Sequence, residues 1–324
     1  MSEDHCSRLR DKMVAEISAH QPYEALVYVQ TYSARKRHSL TQSQSWTLVW
    51  TGVLVLLENN EIEYGGTLFN WFLSSGMFYL DEEQSNLNNV LRTISCMTHD
   101  NALKFLDSIY SPLREFISHQ KIAKLRKERC LYELSTCCAV VFERCGRWRS
   151  AKDCYFEIGD IEGVARVAHQ WAQEGYISEY SLFFVRVYVY LLANRLLPQA
   201  AAFHRTACDE YMDSYEMTLA TPPSTIQEKA CVATYHIWQM CTIVADLLAL
   251  ADTPDICAKV DRAKIYSLTV DRFEPLLNQY DPSLLRAMRE IGSRLFNLPR
   301  PVTQRQALSP MGALFDNFLS GMQG

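Results

Sequence analysis

Eight histidines, eleven cysteines and a spread of carboxylates are the side chains here that could bind a metal, move a proton or attack a substrate. Their spacing supports none of these roles. A zinc site draws on pairs such as C-x-x-C, or on His and Cys at finger spacing, and no C-x-x-C occurs. The histidines (His5, His20, His38, His99, His119, His169, His204 and His236) are scattered, and none has a close sequence partner of metal or triad type. The motifs H-E-x-x-H and G-x-S-x-G are missing, as are the phosphate-cradling loops G-x-x-x-x-G-K-[ST] and G-x-G-x-x-G. Gly65-Gly66 stands alone and reads as a turn between helices. No catalytic residue, metal or cofactor is therefore expected from these motifs. A helical enzyme with a dispersed site is one rival reading.

Charge says more than these motifs. Lys and Arg number 32 against 37 Asp and Glu, a formal net charge of −5, so no general basic excess points to nucleic acid. The charge is segregated, however. ARKRH (34–38) is a compact basic patch, and no Lys or Arg follows Arg37 until Arg92. Glu58, Glu61, Glu63, Asp81, Glu82 and Glu83 fall in that interval. Solvated helix ends would produce such a pattern. So would a docking face for another protein, where charge sets encounter rate and orientation. A second basic run, KIAKLRKER (121–129), reads as the exposed face of a helix with Ile122 and Leu125 turned inward.

The elements that carry these residues are helices. Glycine and proline are scarce, at 12 and 11. Apolar residues recur at helical spacing in segments near 6–19, 22–36, 42–59, 64–78, 83–98, 99–109, 112–127, 130–145, 148–157, 161–174, 178–195, 198–213, 226–251, 255–276 and 282–296. Pro22 suits a first helical position, and Asp281-Pro282 is a start signal of the same kind. TLATPPST (218–225) reads as a loop, and the Pro-rich 297–310 as non-helical. In YHIWQMCTIVADLLAL (235–250), Ile237, Cys241, Val244 and Leu248 share a face that Trp238, Met240 and Leu247 widen. That width suits either core packing or a groove for a partner helix.

CGRWRSAKDCYFEIGD (145–160) resembles the second half of a tetratricopeptide unit: Gly146 in the turn, then Trp148, Ala151 and Tyr155 on one helical face. No clean 34-residue period runs through the chain. The expected fold is therefore an all-α, right-handed α-solenoid of degenerate helical hairpins, about 14 helices in all. Residues 1–157 are expected as its N-terminal half, 158–299 as its C-terminal half, and 300–324 as a linker with a short apolar tail, MGALFDNFL (311–319). The opening MSEDHCSRLRDK has no apolar leader core, and SLFFVRVYVYLLANRLL (181–197) carries Arg186 and Arg195, so it reads as a buried helix rather than a membrane span. Unpaired cysteines among Leu, Ala and Val fit burial in a reducing cytosol.

Several segments in order resemble the Golgi-to-ER traffic protein 4 family, cytosolic α-solenoids of the tail-anchored protein targeting pathway. PYEALVYVQTYSAR (22–35) is similar to the family's YYEAH…RT…R helix through Tyr23, Glu24, Ala25, Thr31 and Arg35. TGVLVLLENNE (51–61) resembles its GALxFL segment, SEYSLFFVRVYVYLL (178–192) its SE…FV helix, and IGSRLFNLPRP (291–301) its IGxLFFxxP closing motif through Ile291, Gly292, Phe296 and Pro299. The resemblance implies a non-enzymatic adaptor. Its N-terminal half docks a homodimeric targeting ATPase, with Tyr23, Glu24, Arg35, Lys36 and Arg37 as contact residues. Its C-terminal half holds a ubiquitin-like partner that recruits a co-chaperone, in some lineages with a BAG-type scaffold, around Trp238, Leu247, Leu248 and Phe296. Pro22, Gln30 and Thr67 depart from the family's pattern in the docking region, and 221–273 aligns poorly. A scaffold subunit of another complex, such as a proteasome-lid-like assembly with a winged-helix end, is the alternative.

Overall fold

A computed structural model describes residues 2–81, 85–219, 223, 225–250 and 261–299, and among them every regular element is a helix. The winged-helix ending of the alternative reading needs short strands near the end of the chain, and the described residues there, 261–299, contain none. The chain divides into two units, Met1–Ile158 and Gly159–Gly324.

The first unit holds α1 (Ser2–Ser18), α2 (Pro22–Lys36), α3 (Gln42–Glu58), α4 (Ile62–Ser74), α5 (Ser85–Cys96), α6 (His99–His119), α7 (Lys124–Arg144) and α8 (Trp148–Ile158). Three starts have a local cause. Pro22 occupies the first turn of α2. Thr41 and Gln44 form a reciprocal capping box on α3, which satisfies donors the helix leaves orphaned. The Asp81 carboxylate accepts from the backbone N–H groups of Ser85 and Asn86 at the start of α5. Successive helices pack as hairpins around an aromatic core: Trp46 stacks on Trp50 at 5.1 Å, and Phe78 meets Phe69, Phe72 and Phe116 edge-on.

Three sequence expectations are corrected in this unit. The three helices expected between 99 and 145 are two, because α6 runs straight through Pro112. Proline costs a helix the N–H that would reach the carbonyl four residues back. Here that carbonyl, on Ser108, accepts instead from Asn70 Nδ2 at 2.9 Å. Gly65-Gly66 is not a turn but lies buried within α4. A Cβ on Gly66 would sit 2.1 Å from Ser108 Oγ, so the glycine is what lets α4 and α6 approach. Ile122 lies in the break between α6 and α7, and Leu125 is 80% exposed rather than turned inward. The hairpin motif stands as expected: Gly146 takes φ +67 in the turn, and Ala151 and Tyr155 are buried.

The second unit holds α9 (Ile161–Glu174), α10 (Tyr180–Ala193), α11 (Leu197–Ala207), a π turn (Cys208–Met212), α12 (Asp213–Leu219), α13 (Ile226–Ala249), α14 (Arg262–Tyr280) and α15 (Pro282–Leu295). Thr218 and Leu219, placed in a loop by the sequence reading, end α12, while most of 220–224 lies outside the described residues. The helix expected over 255–276 is described from Arg262 to Tyr280, and 251–260 also lie outside. α10 packs against α9, α11, α13 and α15. A helix surrounded in this way must be apolar on nearly all sides, which accounts for the composition that made 181–197 look membrane-like. Its one charged side chain, Arg186, pairs at 3.0 Å with Asp281, and both are largely buried. Asp281 also accepts from Ser283 N–H at the start of α15, so the pair ties the first turn of that helix to α10. α13 is the described helix long and apolar enough to cross a membrane by length and composition, yet half of its apolar stretch is buried in the fold.

Candidate interaction surfaces

The described side chains hold no group of three or more His, Cys, Asp or Glu arranged to grip a metal. Among the described residues Cys96 is exposed and the other thiols are buried or half-buried; burial pushes Cys154 and Cys208 up to about 11, away from reactive thiolate. Two histidines sit in aromatic surroundings. His169 joins the Tyr180 hydroxyl at 2.6 Å and stacks on Tyr211. His204 joins Thr242 Oγ1 at 3.1 Å and stacks on Trp238 at 5.0 Å. Desolvation lowers both pKa values, and for His204 the nearby Asp246 opposes it. Both are half-buried and packed against aromatic rings.

The N-terminal candidates lie on one exposed helix. Ala25, Leu26, Val29 and Ser33 form the buried face of α2. Tyr23, Glu24, Arg35, Lys36 and Arg37 are all exposed, Tyr23 at 60%. Glu24 and Arg35 are eleven residues apart, three turns along the same face, or roughly 16 Å of helix. The structure therefore brings Arg35, Lys36 and Arg37 together at the C-terminal end of α2 and leaves Tyr23 and Glu24 at the other end. Cations at a helix C-terminus also complement its partial negative charge, which gives Arg35 and Lys36 a local reason to be there. The acidic interval is partly spent on structure. Glu58 pairs with Arg10 at 2.7 Å. Asp81 has its carboxyl held low: burial pushes it up, but hydrogen bonds from Ser85 and Asn86 outweigh that. Glu82 and Glu83 lie outside the described residues.

The C-terminal candidates are mostly interior. Trp238 is 2% exposed, Leu247 is buried and Phe296 stacks on Tyr266 at 4.3 Å; Leu248 is half-buried. The wide apolar stripe of α13, with Trp238 and Leu247, packs against α10 and α14. A surface groove of this unit is built by their neighbours. His236, Gln239 and Ile243 of α13 face Ile265, Leu268, Arg272 and Leu276 of α14 across a cleft of about 650 Å³. Ile243, Ile265 and Leu268 are exposed, Leu268 at 59%. The signal for this groove was present in the sequence as the spacing 265, 268, 272, 276, one stripe of a helix. It was eclipsed by the stronger stripe of α13, whose strength marks the interior.

No family model matches the chain, and no curated protein matches it. Among solved structures it is similar to one described as the crystal structure of C. therm. Get4, with 14% sequence identity and a TM-score of 0.56 over 100% of this chain and 96% of that one. At this identity the likeness is one of fold: the described residues form a Get4-like, all-helical fold.

Proposed function

We propose that the protein is a non-catalytic adaptor of the Get4 type, acting in the cytosol in delivery of tail-anchored proteins to the ER membrane. The N-terminal half holds a homodimeric targeting ATPase through the exposed residues Tyr23, Glu24, Arg35 and Lys36 of α2 and Arg37 just after it. The C-terminal half holds a ubiquitin-like protein, and in lineages that have it a BAG-type scaffold. Trp238, Leu247 and Phe296 support that surface from beneath, with Leu248 half-buried beside them. Two partners held on one scaffold meet at high effective concentration, and hand-over needs no reaction centre.

The observation that carries this reading is the fold likeness spanning the full chain, joined to the basic, solvent-facing end of α2. The test is native co-purification with the full chain as bait, followed by mass spectrometry. An ATPase and a ubiquitin-like protein recovered near stoichiometry are the expected result. A multi-subunit lid-type complex containing neither overturns the proposal.

A further inference from the structure

The groove between α13 and α14 presents apolar side chains to solvent, and the chain itself carries a matching segment. Residues 311–319, MGALFDNFL, lie outside the described residues. Their sequence places Leu314, Phe315, Phe318 and Leu319 on one face of a helix, at the i, i+1, i+4 and i+5 positions that suit an apolar cleft. The description ends at Pro299, which with Leu298 lines a cleft against Ser267, Val270 and Asp271 of α14. The groove flanks the same helix around its circumference, at Ile265, Leu268 and Arg272. The eleven residues 300–310 can span roughly 36 Å when extended, well beyond a helix diameter of about 10 Å. Charge agrees as well. Asp316 is the single charged residue of 311–319, and the groove carries Arg272, which is exposed and makes no ion pair among the described residues.

We propose that the groove between α13 and α14 is a docking site for this chain's own segment 311–319, with Leu314, Phe315, Phe318 and Leu319 seated on Ile243, Ile265, Leu268 and Leu276. Burial of four large apolar side chains is of the same order as the cost of ordering the segment, so the docked tail is displaceable. The short tether holds it near the groove at an effective concentration on the order of millimolar. Any partner that uses the groove must first displace the tail, so the tail acts as a built-in competitor. The inference is independent of the adaptor reading.

Amide hydrogen exchange on the full chain tests it. Backbone amides within 312–319 are expected to exchange at least tenfold slower than an unstructured peptide, at a rate independent of protein concentration. Leu268→Asp and Ile243→Asp, both at exposed positions, should each abolish that protection while leaving the amides of α10 unchanged. A second variant avoids any disturbance of the described fold: Phe315→Asp with Phe318→Asp should speed exchange in both the tail and the groove. Tail exchange at the unstructured rate in the parent chain overturns the proposal, as does protection that survives every variant. Protection that grows with protein concentration assigns the groove to a second copy's tail and overturns the intrachain form.

Discussion

Two of the histidines, His169 and His204, are half-buried and packed against aromatic rings. His204 shows this most clearly. It lies against Trp238 and Thr242, and burial lowers its pKa below the ordinary value of 6.5. The sign follows from linkage: the folded state disfavours the protonated imidazole while the unfolded state accepts it. Stability is therefore full above the unfolded pKa and is lost as pH falls from there toward the folded pKa. His169 is shifted the same way. The urea midpoint should be flat above neutrality and decline as pH drops below about 6.5. In His204→Asn, which keeps a polar partner for Thr242, the decline should be shallower, with the share of His169 remaining. An unchanged decline in the variant would show that His204 does not carry the effect.

At the scale of elements, a local rule was overridden by a contact from elsewhere in the chain. Pro112 signals a helix break, and α6 passes through it because Asn70 of α4 takes the freed Ser108 carbonyl. This predicts coupling between distant positions. Asn70→Ala alone should cost about 1–3 kcal/mol by stranding a partly buried acceptor. In a Pro112→Ala background the restored N–H can satisfy Ser108, so the same substitution should cost less, by roughly 0.5–1 kcal/mol. A denaturation double-mutant cycle measures this, and strict additivity would contradict the account. Most helices were legible because apolar residues recur at 3.6-residue spacing and starts such as Pro22 and Asp281-Pro282 act locally. What stayed hidden was decided at long range: the Asn70 contact, the Gly66 approach to Ser108, and which apolar stripe faces inward. The exposed end of α2 was legible because charge clusters there and helical spacing turns it outward. The α13–α14 groove was not, since the sequence of α13 alone cannot say that α10 and α14 consume its richest face.

At the scale of the molecule, two surfaces lie in two different units: a basic helix end in the first and an apolar groove in the second. Surfaces built from separate helices should fail separately. The most direct measurement is the affinity of the full chain for a homodimeric targeting ATPase across a salt titration. The parent chain is compared with Arg35→Glu/Lys36→Glu and with Leu268→Asp. The expected result is tight, salt-sensitive binding by the parent, a loss of roughly tenfold or more with a flattened salt dependence in the charge reversal, and parent-like binding by Leu268→Asp. A parent chain that does not bind the ATPase, or a charge reversal that keeps both affinity and salt slope, would contradict it.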